Sequence, residues 1–279
     1  IGVFEEKAPH VFRNNKISAF LRSDNPKNVR AMILMHNAEA MSRPWYEHLE
    51  QGIREGVPPF RLSHGEDLFD YLDHHADLDS LFSEAMDSVE ALTGDSFATD
   101  FDWGRFERII DVGGSRGAKS LAILKRHPKL TALVVDRPQV IAEAEHYCST
   151  QTTSGIERLR FQAGDALTTI PSAQSEKDIF LLSAVLHCFD NETCITILRN
   201  VADACGQTGA RIALLEMVLP EVGADVAAAS FDMQMFMGSR GRERTLSEWT
   251  ALFDHAGMAL DEVVGLQSFG NILVLLPKK

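Results

Sequence analysis

From Phe106 onward the chain alternates short β-rich runs with helical stretches, and this alternation constrains the fold more than any other feature. The runs are RIIDV, ALVVD, RLRFQ, DIFLLSAV and RIALLEMV; helical sequence follows each of the first four after a Gly, Pro, Asp or Asn. Strands alternating with helices imply a parallel sheet covered by helices on both faces. The last two runs, ALDEVVGL and NILVLLP, are separated only by a Gln-Ser-Phe-Gly loop. A parallel return needs a crossover of a dozen or more residues, so these two must pair antiparallel. The expectation is an α/β fold: seven strands, mostly parallel, with a hairpin at one edge. No repeat or low-complexity segment interrupts it.

The first hundred residues have a different texture and read as helices, which predicts an N-terminal helical region over 1–100 and a sheet domain over 101–279. One helix is expected through AFLRSDNPKNVRAMILMHNAEAM, capped by Ser23 or Asp24 with Pro26 in its first turn. Others are expected from Pro44 to Glu55 with a stop at Gly56, through GEDLFDYLDHH, and through LDSLFSEAMDSVEALTG to Gly94. A short strand is allowed only near Val11–Phe12. The net charge of −13 argues against a nucleic-acid partner, which needs a basic face. No apolar run is long enough for a bilayer span and no leader-like stretch opens the chain, so no membrane partner is expected. Cys148, Cys188, Cys194 and Cys205 form no CxxC pair and no zinc-ligand spacing, which fits reduced thiols in a cytoplasmic protein. The chain starts at Ile1 rather than Met, and a preceding segment is expected.

Between the first strand and its helix lies DVGGSRG, Asp111 to Gly117. Glycines there let the backbone turn sharply and approach a ligand, and the helix N-terminus behind them favours polar or anionic groups. Asp136 sits at the tip of the second strand, where a ribose-binding carboxylate belongs. Asp165, in FQAGDAL, follows the third. Acidic residues at successive strand ends suit a nucleoside lying across the carboxyl edge of the sheet; the competing reading makes both aspartates helix caps. The dinucleotide pattern GxGxxG fails because Ser115 stands at its second glycine. D-x-G-x-x-x-G fits an S-adenosylmethionine (SAM) binder better.

The stretch FLLSAVLHCFDNETCITILRN, residues 180–200, passes from buried strand to amphipathic helix with His187 at the seam. Imidazole, with an ordinary pKa of about 6.5, can take a proton at neutral pH. It does so best when a carboxylate holds its other nitrogen. Two carboxylates are expected at the same sheet edge: Glu216, ending RIALLE, and Glu243, in GRERT. A glutamate inside LLEMVLP is costly to bury without a partner.

At these residues the chain resembles the SAM-dependent O-methyltransferases of the plant caffeate and flavonoid type and their bacterial small-molecule relatives. DVGGSRG, VVDRPQVI, GDAL, LHCFDNETCITILRN, LLEMVLPE and GRERTLSEW match successive family motifs in order over about 105–279. The resemblance implies a Rossmann-like class I methyltransferase domain behind a partial winged-helix, dimerising region, with KAPHVFRNNKISAFLRSD resembling the wing. It implies SAM as cofactor and S-adenosylhomocysteine as product, a hydroxylated small-molecule acceptor, a homodimer and no metal. It makes His187 the general base, flanked by Glu216 and Glu243. Around the cofactor it places Asp111, Gly113, Gly114, Asp136, Arg137, Gly164, Asp165, Ala166 and Ser183. Three departures stand out: His187-Cys188-Phe189 where the family has His-Asp-Trp, Ser183 where it commonly has lysine, and Ser115 for a loop glycine.

Acceptor walls are expected from apolar and aromatic residues: Met35, Trp45, Met86 and Phe236, with His36, Phe82, Phe231 and Met235 as further candidates. Core packing is the competing reading for each. Asp232 is expected to hold an acceptor hydroxyl. Asp73, His74, His75 and Asp77 read as solvated surface. Two other functions fit parts of the sequence. One is a SAM-binding enzyme that rearranges, decarboxylates or hydroxylates its substrate without methylating it. The other is a winged-helix regulator, against which the acidic charge argues.

Overall fold

The computed structural model describes residues 2–25, 27–223, 226–267 and 270–278. Pro26, and Ser268 and Phe269 of the last loop, lie outside them. The chain forms two compact units, Ile1–Gly94 with Phe236–Ser239, and Asp95–Met235 with Arg240–Lys279. No helix among the described residues is long and apolar enough to cross a membrane. All four cysteines are free thiols.

The first unit opens with a hairpin, β1 (Phe4–Ala8) and β2 (Val11–Asn14), paired antiparallel. Six helices follow: α1 (Arg30–Asn37), α2 (Glu39–Glu47), α3 (Leu49–Glu55), α4 (Pro59–His64), α5 (Leu68–His74) and α6 (Ala76–Thr93). Ala31, Met35, Met41, Phe60, Leu68, Leu72, Ala85 and Met237 form its core. Several boundaries differ from the sequence expectation. The helix expected from Ser23 or Asp24 starts only at Arg30, after a separate 3-10 turn at Ser18–Leu21. The helix expected from Pro44 begins instead at Glu39 and holds Pro44 inside it. Proline has no N–H for the carbonyl four residues back. Here the ring of His64 takes over, with Nε2 2.9 Å from the Ala40 oxygen. The chain breaks at His48, and α3 ends at Gly56 in the left-handed region, φ 66°, as glycine permits. Pro59 opens α4 at its first position, a placement proline tolerates and the sequence reading passed over.

The second unit contains the expected seven-stranded sheet: β3 (Arg108–Val112), β4 (Thr131–Asp136), β5 (Leu159–Ala163), β6 (Asp178–Ser183), β7 (Arg211–Glu216), and, after a two-residue pair described below, β10 (Met258–Gly265) and β11 (Asn271–Pro277). Its order is β10-β11-β7-β6-β3-β4-β5. β11 runs antiparallel to β7 and β10, and the other pairs are parallel. Side chains of a strand alternate between faces, and both faces here are dry. Ile110, Phe180, Leu182, Ile212 and Leu214 pack on one side against α9 (Asn191–Cys205) and α11 (Leu246–His255). Ile109, Ile179, Leu181, Ala213 and Leu215 pack on the other with residues of α7 (Ala118–Arg126) and α8 (Pro138–Ser149). Burial on both faces explains why these strands read as near-continuous apolar runs.

Two features of this topology position the site. Chain order moves outward from β3 in both directions, to β4 and β5 on one side and to β6 and β7 on the other, so the switch point lies between β3 and β6. Ligands of open α/β sheets bind in the crevice outside the strand ends there. Beyond β7, the short strand β8 (Val218–Leu219) pairs in parallel with β9 (Arg244–Thr245), Val218 opposite Arg244. Helix α10 (Val226–Gly238) lies between them in sequence.

Candidate active site

The loop after β3 is built around glycines that admit no side chain. Gly113 has φ 75°, and a Cβ there would sit 2.8 Å from Val185. A Cβ on Gly114 would meet the Asp111 carboxyl at 2.5 Å, and one on Gly164 would meet Val135 at 2.6 Å. Ser115 adopts φ 49° without being glycine, a conformation that L-residues enter at a cost.

Asp111 is buried under this loop and accepts from Ser120 Oγ at 2.6 Å, so its carboxylate supports the loop from below. Asp136 ties the loop to β4: its oxygens accept from the backbone N–H groups of Ser115 at 2.9 Å and Arg137 at 2.8 Å. Asp165 is exposed and accepts from Leu167 N–H at 2.8 Å. Neither aspartate caps a helix: the residue that precedes α8 is Arg137, without a side-chain cap. Arg137, Ala166 and Ser183 are half-buried at the ends of β4, β5 and β6.

After β6 the backbone turns through Ala184, φ 53°, and a short 3-10 turn, Leu186–Cys188, carries His187. The turn is fastened from β7. Glu216 Oε1 accepts from the N–H groups of Val185 at 3.1 Å and Leu186 at 2.9 Å. His187 Nδ1 lies 2.9 Å from Glu243 Oε1 and 3.7 Å from Glu216 Oε2. A carboxylate can only accept, so Nδ1 carries the proton and the lone pair of the neutral ring is on Nε2. The β8–β9 pairing sets this geometry, because it places the residue before Arg244 beside the end of β7. Asp232 on α10 completes it by accepting from the Glu243 N–H at 2.9 Å.

Both glutamates are essentially fully buried, and the second oxygen of each, Oε2, has no hydrogen-bond partner among the described residues. Orphaned carboxylate oxygens are costly in a core. Burial pushes the Glu216 pKa up to about 7, against the opposing pull of His187 and the two backbone N–H groups. Burial alone would lower the pKa of His187. Its neighbour Cys188, then Glu216 and Glu243, outweigh burial and hold the pKa well above the ordinary histidine value.

The remaining sequence candidates divide. Met35, 3% exposed, lies in the core of the helical unit. Trp45 and Phe82 pack partly buried against that core, and Met86 is 36% exposed. Asp232, half-buried, accepts from the Glu243 N–H through Oδ1. Asp73, His74, His75 and Asp77 are exposed.

Sequence reasoning missed Arg244 and Gly241. Arg244 is fully buried, and a Cβ on Gly241 would overlap the His187 carbonyl oxygen. A run of three arginines in RGRER gives no sign of which one turns inward.

Comparison with known proteins bears on this geometry. A family model described as an O-methyltransferase domain matches residues 46–259. Phenazine O-methyltransferase PhzM of Lysobacter antibioticus is 30% identical over 278 residues, 99% of this chain and 79% of that protein. Among solved structures, that of LaPhzM superposes with a TM-score of 0.89 at 28% identity, covering 99% of this chain and 81% of that one. The neocarzinostatin-biosynthesis O-methyltransferase NcsB1, solved with S-adenosylhomocysteine and 1,4-dihydroxy-2-naphthoic acid, gives a TM-score of 0.83 at 26% identity, covering 99% and 81%.

Proposed function

We propose that this chain, which belongs to the O-methyltransferase family, uses His187 as the base that takes the proton from a hydroxyl on a flat, hydrophobic small molecule. It is a SAM-dependent O-methyltransferase with a Rossmann-like class I fold, and S-adenosylhomocysteine is its product. PhzM is named for phenazines and NcsB1 was solved with a dihydroxynaphthoic acid; for this chain they support an aromatic hydroxyl as the acceptor class.

The residues present fit the cofactor. At Gly113, Gly114 and Gly164 a Cβ would strike Val185, Asp111 and Val135, so these strand-end turns stay bare backbone that a ligand can approach, and the exposed Asp165 offers a carboxylate at the strand end beyond Asp136. In this reading the Gly113–Gly114 loop and Ser183 hold the methionine end, Asp136 and Arg137 the ribose, and Gly164, Asp165 and Ala166 the adenine. Asp111 acts on the cofactor through the loop it supports. When bound, SAM supplies a methyl carbon already activated on a sulfonium, so no further electrophile is required of the protein.

The work left to the chain is removal of a proton. A phenol, pKa about 10, is a weak nucleophile until it is deprotonated. The acceptor O–H bond breaks as an N–H bond forms at His187 Nε2, leaving the electron pair on oxygen. The imidazolium that results is stabilised through Nδ1 by Glu243, with Glu216 beside it. The observation that carries this reading is the 2.9 Å contact between His187 Nδ1 and a buried carboxylate at the switch point.

The reading keeps an N-terminal region, 1–100, with a dimerising role, in a homodimeric cytoplasmic protein. Sedimentation at several concentrations tests the dimer. Trp45, Met86 and Phe236 are the reading's candidate acceptor-wall residues.

The test is methyl transfer from isotopically labelled SAM to a panel of hydroxylated aromatics. Label is expected on oxygen with the wild-type chain. His187→Ala should reduce turnover by about 10²-fold or more while calorimetric affinity for SAM is unchanged. Undiminished turnover would remove the base assignment, and acceptor conversion without label incorporation would remove the reaction class.

A further inference from the structure

Arg244 is fully buried, and among the described residues no other arginine or lysine is. Its guanidinium spends five hydrogen bonds within a short distance of the base. Nε and Nη2 donate to Asn191 Oδ1 at 3.0 and 2.9 Å, and Nη2 also to the Phe189 carbonyl at 2.9 Å. Nη1 donates to the carbonyls of Arg242 at 3.1 Å and Leu186 at 3.4 Å. Its carbon Cζ sits 5.0 Å from the centre of the Trp249 ring.

Every one of those acceptors is a neutral oxygen. Asp190 and Glu248 attract the cation from farther off, but its hydrogen bonds all go to neutral groups, and a planar fork of five donors is suited to fixing several acceptors at once. The acceptors bracket the base in sequence: Leu186 precedes His187, while Phe189 and Asn191 follow it. The arginine itself directly follows Glu243. One side chain thus joins the segment that carries the imidazole to the segment that carries its carboxylate. Gly241 shows how closely the same two segments meet, since a Cβ there would also fall 2.5 Å from the Cys188 carbonyl carbon.

We propose that Arg244 is a positioning residue that sets the separation between His187 and Glu243 and so holds the base in register. The proposal rests on the reading of His187 as base. Arg244 acts through the 186–191 turn, and Asn191, which takes two of its five bonds from an exposed position at the start of α9, is its outer anchor.

Three variants test this. Arg244→Lys keeps the charge but loses the fork, Arg244→Met keeps the length but loses both, and Asn191→Ala removes the anchor from a surface site where the Asp190 cap of α9 remains. Displacing a reacting group by a fraction of an ångström to 1 Å costs up to about 10²-fold. Arg244→Met is therefore expected to lower kcat by about 10- to 100-fold, with Arg244→Lys and Asn191→Ala following in the same direction by less. Calorimetric SAM affinity should be unchanged. The ¹⁵N titration of His187 in the folded variants should move down toward the ordinary histidine value, a shift that a merely structural role would not produce.

If Arg244→Met does not fold, Asn191→Ala carries the test. Folded variants with wild-type kcat and an unmoved His187 titration would overturn the proposal while leaving the base intact. Full turnover in His187→Ala would instead remove the base reading beneath it.

Discussion

At the scale of single residues, the site sets two buried carboxylates beside one nitrogen of a single imidazole, and charge decides how it titrates. A base works in its unprotonated form. Because the pKa of His187 is held high, the rise of rate with pH should lie above the ordinary histidine value of about 6.5. Removing a carboxylate removes part of what holds the proton, so Glu243→Gln and Glu216→Gln should each move that rise to lower pH. Each should also lower the maximal rate by about 10-fold or more, as the imidazolium loses its stabilising charge. Single-turnover rates across the neutral range check both effects; a rise that moves upward would contradict the sign. His187 was legible as a candidate because it stands at the seam of strand and helix, and the family resemblance supplied its role. Glu216 was legible as a glutamate in apolar company, and Glu243, set among arginines, only through the family resemblance. Arg244 was not. Arg240 is exposed, Arg242 pairs with Glu248 at 2.7 Å, and Arg244 is fully buried, but the string RGRER looks alike at all three. Nor was the bond from the Glu243 N–H to Asp232 legible, because tertiary contact alone sets it.

At the scale of elements, the active geometry depends on the β8–β9 pair, only two residues long on each strand. It brings the segment after β7 beside the segment before α11, with α10 intervening. The first residue of α11 follows a complete capping box, Thr245 with Glu248, so the helix entry is fixed just past Glu243 and Arg244. The crossing of the 241–244 segment over the His187 turn leaves no room for a methyl group. Gly241→Ala must therefore displace backbone. We expect a folded but less stable protein, melting several degrees lower for a loss of about 1–3 kcal/mol, with methyl transfer reduced out of proportion to that loss. Circular dichroism melts alongside activity check it, and a variant with wild-type rate would show that the turn need not sit where it does. The seven strands of the large sheet were read correctly because burial on both faces writes a strong local signature; β1 and the two-residue strands β8 and β9, which lack it, were not foreseen. Helix boundaries in the first unit were not, because Pro44 lies inside α2 with His64 serving the carbonyl it leaves. That compensation comes from a residue 24 positions away and leaves no local trace.

At the scale of the whole molecule, seven strands order themselves so that five successive carboxyl ends carry, in spatial order, Asp165, Asp136, the glycine loop, His187 and Glu216. This arrangement was legible once the strands were, because βα crossovers fix which edge their loops share. It also makes cofactor binding a property of the folded sheet that the unfolded chain lacks. S-adenosylhomocysteine at a hundred times its dissociation constant should then stabilise the protein by about 2.7 kcal/mol, seen as a rise in melting temperature. Asp136→Ala should lose most of that rise at the same ligand concentration, since its carboxylate fixes the loop through Ser115 and is assigned to the ribose. An unchanged ligand-induced rise in the variant would remove that assignment.

The central claim is that the imidazole of residue 187 takes the acceptor proton. The most direct measurement is the pH dependence of single-turnover methyl transfer by wild type and His187→Gln, both saturated with SAM. The account predicts a wild-type rate that rises with pH through the elevated histidine pKa, and a glutamine variant slower by about 10²-fold without that rise. A glutamine variant that kept both the rate and the rise would contradict it.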